Sequence, residues 1–456
     1  MGEKYKDLLI EGKTKRIYQD HQLFRQAFFL IEGKTKRIYQ DSDDSDFVIV
    51  ESKDDLTAGD GAQHDVIEGK AAWSTETTCN VFELLDACLV PLAYSERLDD
   101  TAFRARKCEM IPLEVVVRRE LHGSAIKRQP HLPTGLLLNQ LKVEFFLKTP
   151  NKKWRGRPIR FDDPMIRFKL SGDLELYNPK APLHSRKPFK KLAYKSLPKI
   201  LKKALEASML KRISTMAQRI FLVLEKAWSL QNHKLVDFKI EFGFDTSGDL
   251  LLADVIDSDS WRLIFEGEHQ DKEIYRQGGK SKLEELAIKY SHVAELSKRL
   301  VLPRQQLIFW RASDKDDMGE FENALGEYGV NLYIRAAYLT GSLHKRPVES
   351  CQEIAQQVQD VPDAVLIVYC GRSNGAGPTL SAQVTIPTIT VPAGWSKCPE
   401  DVWSSLRTPS DVPVSVILEP KNAVLHALQI LAARHPAIYA ELRIRQETRL
   451  DNFFSI

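Results

Sequence analysis

Signals for metal ligation and covalent crosslinking are sparse in this chain of 456 residues. Its six cysteines (Cys79, Cys88, Cys108, Cys351, Cys370 and Cys398) form no C-x-x-C pair and no Cys/His group at zinc spacing. Scattered thiols of this kind read as small core residues of a reduced protein, so the expected compartment is the cytoplasm. No stretch reaches the roughly 18 consecutive apolar residues of a membrane helix. The first residues, MGEKYKDLLIEGKTK, are charged and lack the apolar core of a signal peptide. Charge of one sign is also in short supply: 65 Lys and Arg face 62 Asp and Glu, a net +3. That balance gives no argument for a nucleic-acid partner. A Walker A loop, G-x-x-x-x-G-K-[ST], is absent, so any nucleotide site must be built another way.

The chain is 43% hydrophobic and 28% charged, ordinary for folded soluble proteins and unlike disordered, collagen-like or coiled-coil chains. Its length suits two to three domains. One internal repeat stands out. LIEGKTKRIYQD occurs at 9–20 and again, unchanged, at 30–41, an offset of 21 residues. Two identical copies are too few for a solenoid. Both read as strand–turn–strand, and only the second runs on into the strand Phe47-Val48-Ile49-Val50. Residues 1–27 are therefore expected to be an extra arm, and Lys34 and Lys36 the working lysines.

Helical spacing predicts a helix over 69–89 and a long amphipathic one over 209–228. Strands are expected at 113–117, 141–147, 236–242 and 250–256, the last two joined by the turn Thr246-Ser247-Gly248-Asp249. Residues 149–212 carry far more Lys and Arg than acids, and read as a solvated basic insertion. Beyond Leu302, strands at 305–310, 330–335, 364–370 and 385–391 alternate with helices at 318–328 and 348–358. Such alternation argues for a parallel sheet with helical crossovers. The expected division is 28–300 and 303–445.

Four charged clusters in the first part carry chemistry. Glu32-Gly33-Lys34-Thr35-Lys36 sets two lysines two apart, on one face if the segment is a strand. The stretch 52–61 is a glycine-containing loop with acids. Arg118-Arg119-Glu120-Leu121-His122-Gly123-Ser124 ends a strand with paired cations. Asp237, Lys239 and Glu241 alternate with Phe238 and Ile240, and face residues 253–262 in one hairpin. A row of charges on so apolar a strand is costly unless it meets a ligand or metal. Glu241 and Asp254 supply two hard oxygens suited to Mg²⁺ held partly through phosphates. Lys34, Lys239 and Arg262 supply phosphate-neutralising charge. Together these suggest a nucleotide-dependent phosphoryl-transfer or ligase site.

The motifs EGKTKRIY, SKDDLTAGDGA, EGKAA, CEMIPLEVVVRR…GS, DFKIEFG and LADVIDSDSWRL, in that order, resemble the SAICAR synthetase family. CGRSNGAGP and DVWSSLR in the second part resemble the AIR carboxylases that use CO2 directly, without biotin. The order synthetase then carboxylase is similar to that of the bifunctional enzymes of animals. The resemblance implies an α+β, ATP-grasp-like first domain and an α/β, Rossmann-like second domain with a parallel sheet. It implies ATP and Mg²⁺ as cofactors, and CAIR, aspartate, AIR and CO2 as substrates. It also implies a homo-oligomer, an octamer centred on the carboxylase domains.

By the same resemblance Lys34, Lys36, Met110 in the hinge 107–111, and Glu241 contact ATP. Glu241 and Asp254 hold the metal. Thr57, Arg118, Ser124, Asp163, Asp259 and Arg262 hold the ribotide and aspartate. Lys239 and Asp60 are catalytic, Asp60 either taking the amine proton or holding the amine. In the second domain His344 is the implied proton shuttle. Ser313, Asp314, Lys345, Gly371, Arg372 and Ser373 bind its substrate. The family's Gly-Ser-x-Ser-Asp loop is here Trp310-Arg311-Ala312-Ser313-Asp314, and glycine's freedom to curl round a phosphate is lost. A short insertion is expected at 338–341. Two other readings stand beside this one. In one, the second domain serves assembly only. In the other, the chain is a non-catalytic paralogue that binds polyanions through 149–212.

Overall fold

The protein is described from a computed structural model covering residues 7–11, 16–19, 28–58, 63–182, 187–371 and 374–454. Asp60, Arg372 and Ser373, and Lys13 of the first repeat, lie outside the described residues. The chain divides into two compact units, Met1–Val301 and Leu302–Ile456.

In the first unit the two repeats form hairpins β1 (Asp7–Glu11) with β2 (Arg16–Gln19), and β3 (Phe28–Glu32) with β4 (Lys36–Gln40). Their registers coincide after the 21-residue offset, including the irregularity between Leu8/Ile10 and Phe29/Ile31. Identical sequence thus gives identical local pairing. Lys36 opens β4, but Lys34 lies in the turn before it, so the two lysines do not share a strand face. Next come β5 (Phe47–Ser52), the hairpin β6 (Asp55–Ala58) with β7 (Gln63–Val66), α1 (Lys70–Ala87), β8 (Tyr94–Arg97) and β9 (Ala102–Arg106). The first sheet runs β1-β2-β3-β4-β5-β9-β8, and only the second repeat touches β5.

The second sheet carries the chemistry. Its elements begin with β10 (Glu109–Glu120), α2 (Ser124–Arg128) and β11 (Leu137–Leu147). The hairpin β12 (Lys153–Trp154) with β13 (Arg157–Pro158) follows, then β14 (Met165–Phe168), β15 (Leu174–Tyr177) and β16 (Lys190–Leu192). Then come α3 (Lys199–Ala204), α4 (Ala207–Ser229), β17 (Lys234–Phe244), β18 (Leu250–Ala253) and β19 (Trp261–Phe265). The unit closes with β20 (Glu268–His269), α5 (Glu273–Gly278) and α6 (Leu283–Ser297). The sheet runs β16-β15-β14-β11-β10-β17-β19-β20, with β18 also on β17. The basic stretch 149–212 is therefore not a loose insertion, because β14, β15 and β16 extend this sheet.

Helix α4 explains which face of that sheet is dry. Ile213, Ala217, Ile220, Phe221, Leu224 and Trp228 recur at helical spacing and are buried. They cover the side of β17 that carries Phe238 and Ile240, with Phe221 and Phe238 rings 5.4 Å apart. Asp237, Lys239 and Glu241 are left on the other side by the period of two.

The second unit contains β21 (Gln306–Arg311), α7 (Gly319–Tyr328), β22 (Arg335–Thr340), α8 (Pro347–Asp360) and β23 (Ala364–Cys370). These lead to α9 (Ala376–Ser381), β24 (Thr388–Pro392), α10 (Trp403–Leu406), β25 (Ser415–Val416), α11 (Pro420–Ala432) and α12 (Pro436–Phe454). The sheet is parallel, in the order β22-β21-β23-β24-β25. Alternation sends Leu307 and Phe309 to a core with α7 and α11, and Ile308 and Trp310 to one with α8 and α9. Two expectations change here. The strand expected at 330–335 is displaced to Arg335–Thr340, which takes in 338–340 of the expected insertion. Trp310 lies within the strand expected at 305–310, its indole completing the α8-side core, and β21 runs on through Arg311, an expected loop residue. Among the described residues no helix is long and apolar enough to cross a membrane.

Candidate active site

The side of the second sheet away from α4 is paved with charge, placed there by register, and much of that charge is buried. Glu114 pairs with Glu241, Val116 with Lys239 and Arg118 with Asp237 across β10 and β17. Arg262 on β19 pairs with Asp237 from the other side, and Glu144 on β11 with Val116. Arg262 thus sits on a third strand, so the segment 254–260 is a loop leading to β19 rather than the second arm of a hairpin. Arg118 and Arg119 do not act as a pair, because consecutive strand residues face opposite ways. Arg119 turns to Glu225 on α4, at 2.7 Å.

One end of this face is a closed guanidinium–carboxylate network. Arg118 donates Nε–H to Glu144 at 2.9 Å and also bonds Asp237. Arg128 joins Glu144 at 2.5 Å, and Arg262 meets Asp237 at 2.8 Å and Glu273 at 3.1 Å. Burial opposes ionisation of Glu144, but Arg118 and Arg128 outweigh it and hold the carboxyl at about 2. The Ser124 hydroxyl accepts from Arg118 and Arg128. Gly123 has φ +56°, and a Cβ there would lie 2.3 Å from the Arg262 guanidinium. Glycine is needed at 123 for both reasons. Three arginines around three acids suit a phosphate, which can take over donors now spent on carboxylates.

The other end gathers lysines around two acids. Glu241 on β17 receives Lys148 at 2.6 Å, and Asp254, just past β18, receives Lys36. Lys239 bonds Glu114 at 2.6 Å. Burial and then the Asp254 charge push Glu241 up to about 7. Burial also opposes ionisation of Asp254, but Lys36 and Lys148 outweigh it and hold its carboxyl below the usual range. Two carboxylates close enough to disturb each other are a fitting pair for a divalent cation. Among the described residues no group of three or more His, Cys, Asp and Glu could hold a metal alone. Phosphate oxygens and water would have to complete the coordination.

Asp163 stands beside this end. It has φ +37°, and its Oδ1 accepts the Thr149 N–H at 2.8 Å. Burial, then the Glu114 charge, raise it to about 6. A carboxyl raised in the fold destabilises the fold once ionised, from its unfolded pKa of 3.8 upward and fully above 6. Asn suits the same φ and keeps the acceptor. Asp163→Asn is therefore expected to raise the melting temperature at pH 7 and to change it little at pH 3. An unchanged melting temperature at pH 7 would remove the assignment.

The loop 254–260 shows what sequence reasoning missed. Asp259 does not point outward. Its Oδ2 meets Lys70 at 3.2 Å and Lys272 at 3.5 Å, and its Oδ1 accepts the Tyr290 hydroxyl at 2.6 Å. Lys70, the first residue of α1, is 1% exposed. Burial opposes its charge, but Asp259 and Asp257 outweigh that and raise its pKa. Lys148, Glu114 and Lys70 were not singled out as site residues, although Lys70 lies in the motif EGKAA. Their charge partners lie 93, 125 and 189 residues away in sequence. Lys34 is exposed, Thr57 is half-buried on β6, and Met110 is exposed opposite Gly243.

In the second unit Ser313 and Asp314 follow β21, and Gly371 follows β23, as parallel strands require for a site at their carboxyl ends. Ser313 Oγ accepts the Lys315 N–H at 3.3 Å, and Asp314 pairs with Arg311 at 2.8 Å. His344 and Lys345 are exposed in a turn closed by N–H donation from Lys345 and Arg346 to the Ser342 carbonyl. Gly341 lies against Trp310, 3.1 Å from the indole nitrogen to its missing Cβ.

Comparison with known proteins assigns each unit to a family. The family model for SAICAR synthetase matches residues 29–172 and 194–293, and that for AIR carboxylase matches 307–451. The interruption at 173–193 holds β15 and β16. The human bifunctional phosphoribosylaminoimidazole carboxylase/phosphoribosylaminoimidazole succinocarboxamide synthetase is 33% identical over 95% of this chain and 92% of its own length. Its Drosophila melanogaster counterpart is 31% identical over 100% of this chain and 95% of its own length. The phosphoribosylaminoimidazole-succinocarboxamide synthase of Roseiflexus castenholzii is 36% identical over 60% of this chain and 87% of its own length.

Proposed function

The chain belongs to the SAICAR synthetase family, carried in one polypeptide with an AIR carboxylase domain, and from that premise we propose how its charged face works. It is a bifunctional enzyme of purine biosynthesis, a ligase followed by a lyase. The first unit joins aspartate to CAIR at the expense of ATP, and the second carboxylates AIR with CO2 to give CAIR.

A carboxylate is a poor electrophile, so the CAIR carboxylate must first accept a phosphoryl group from ATP. Lys36, Lys148 and Lys239 meet that group, being the cations gathered at the Glu241 end. Glu241 and Asp254 would hold Mg²⁺, whose chemistry there is neutralisation of charge on the transferred phosphoryl. The aspartate amine then displaces phosphate from the acyl phosphate, forming the amide and losing one proton. Arg118, Arg262 and Ser124 hold the ribotide phosphate at the opposite end of the face. Asp259 serves this reading indirectly, by fixing the loop between Asp254 and Arg262. In the second unit His344 moves the proton of the carboxylated carbon, beside Ser313, Asp314 and Gly371. The family's homo-oligomeric, cytosolic state belongs to the same proposal.

The observation that carries the proposal is one sheet face holding a lysine-ringed acid pair at one end and an arginine network at the other. Separate half-reaction assays on one preparation test it. SAICAR is expected from CAIR, aspartate and Mg·ATP, and CAIR from AIR and CO2. Absence of SAICAR would overturn the first assignment, and absence of CAIR the second.

A further inference from the structure

In the order β22-β21-β23-β24 the chain leaves β21 toward β22 and leaves β23 the opposite way toward β24, which puts the topological switch point between the carboxyl ends of β21 and β23. Ligands of parallel open sheets bind at such points. The residue at this one is Arg311. Its guanidinium donates Nε–H to the Thr340 hydroxyl at 2.8 Å, one Nη1–H to the Asp316 carbonyl at 3.3 Å and one Nη2–H to Asp314 at 2.8 Å. Thr340 ends β22, and Asp316 lies 3.1 Å from where a Cβ on Gly371 would be, so the guanidinium is fixed between three loops.

An arginine has five N–H donors, and among the described residues these bonds use three. The side chain keeps 29% exposure, and Asp314 is 83% exposed. An ion pair so open to water is worth little and exchanges easily for another anion. A planar donor fork held by a hydroxyl and a carbonyl is preorganised for a phosphate.

We propose that Arg311 holds the substrate phosphate of the second unit, supplying with a side chain what a glycine-lined backbone loop supplies elsewhere in the family. Trp310 fills the core beneath it, which removes the backbone's freedom to curl, and the guanidinium replaces the lost N–H donors. The proposal rests on reading the second unit as an AIR-binding domain.

The test uses Arg311→Met and Arg311→Lys in the full chain. AIR carboxylation by the Met variant is expected to show a KM for AIR raised roughly 10- to 100-fold, the worth of hydrogen bonds to a charged group. Its kcat should change only a few-fold, because binding rather than chemistry is lost. Lys should recover part of the loss, and SAICAR formation from CAIR should stay at the wild-type rate. A wild-type KM for AIR in the Met variant would overturn the proposal. Should the wild-type chain bind AIR by calorimetry without turning it over, loss of that binding in the Met variant would support Arg311 while refuting an active carboxylase. No AIR binding by the wild-type chain would overturn both.

Discussion

Asp254→Asn is expected to lower the rate of SAICAR formation roughly 100- to 1000-fold, the usual cost of losing one preorganised charge at a transferred group. The substitution isolates charge from shape. Asp254 has φ +68°, a region where Asn is as well accepted as Asp. Backbone strain therefore does not enter, and any fall in the melting temperature measures the lost ion pair with Lys36. What goes is a carboxylate between Lys36 and Glu241. Steady-state kinetics against Mg²⁺ concentration give the decisive readout. A drop that excess Mg²⁺ partly reverses places Asp254 on the metal. An unchanged rate at ordinary Mg²⁺ would remove it from the site.

Lys70→Met should act the other way, through the fold. Its ammonium lies buried with Asp257 and Asp259, where removing one member leaves charge without compensation. Breaking such a buried group costs about 3–5 kcal/mol. For a domain of this size that lowers the melting temperature on the order of 10 °C. SAICAR formation should fall as well, because the loop 254–260 joins Asp254 to β19 and Arg262. The double variant Lys70→Met/Asp259→Asn should recover part of the lost stability, since both charges then leave together. Thermal unfolding of the three variants measures this directly. A single variant melting within 2 °C of wild type would show that the cluster bears no weight.

Much of this site was legible as motif. The alternation Asp237, Lys239, Glu241 separated a charged face from the Phe238 and Ile240 face before any register was known. The copy of the repeat that joins β5 was also legible, because only 30–41 leads into a strand. Three features were not legible. Arg118 and Arg119 looked like paired cations until the strand sent them to opposite faces. Arg311 looked like part of a loop until β21 was seen to run through it. Asp259, expected to hold substrate, also lies against Lys70 and Tyr290, which α1 and α6 bring to it.

The sequence by itself determined which residues could alternate, turn or ionise, since periodicity, turn chemistry and charge are local properties. It also determined the order of the two units, through motifs contiguous in the chain. Only the tertiary structure decided which charges neutralise one another. Lys148 and Glu241, Lys239 and Glu114, and Lys70 and Asp259 are joined by strand register and helix placement. Those joins are fixed by cores formed on the opposite faces of the same elements. A charged residue's neighbours are thus set by the packing of apolar residues elsewhere in the fold.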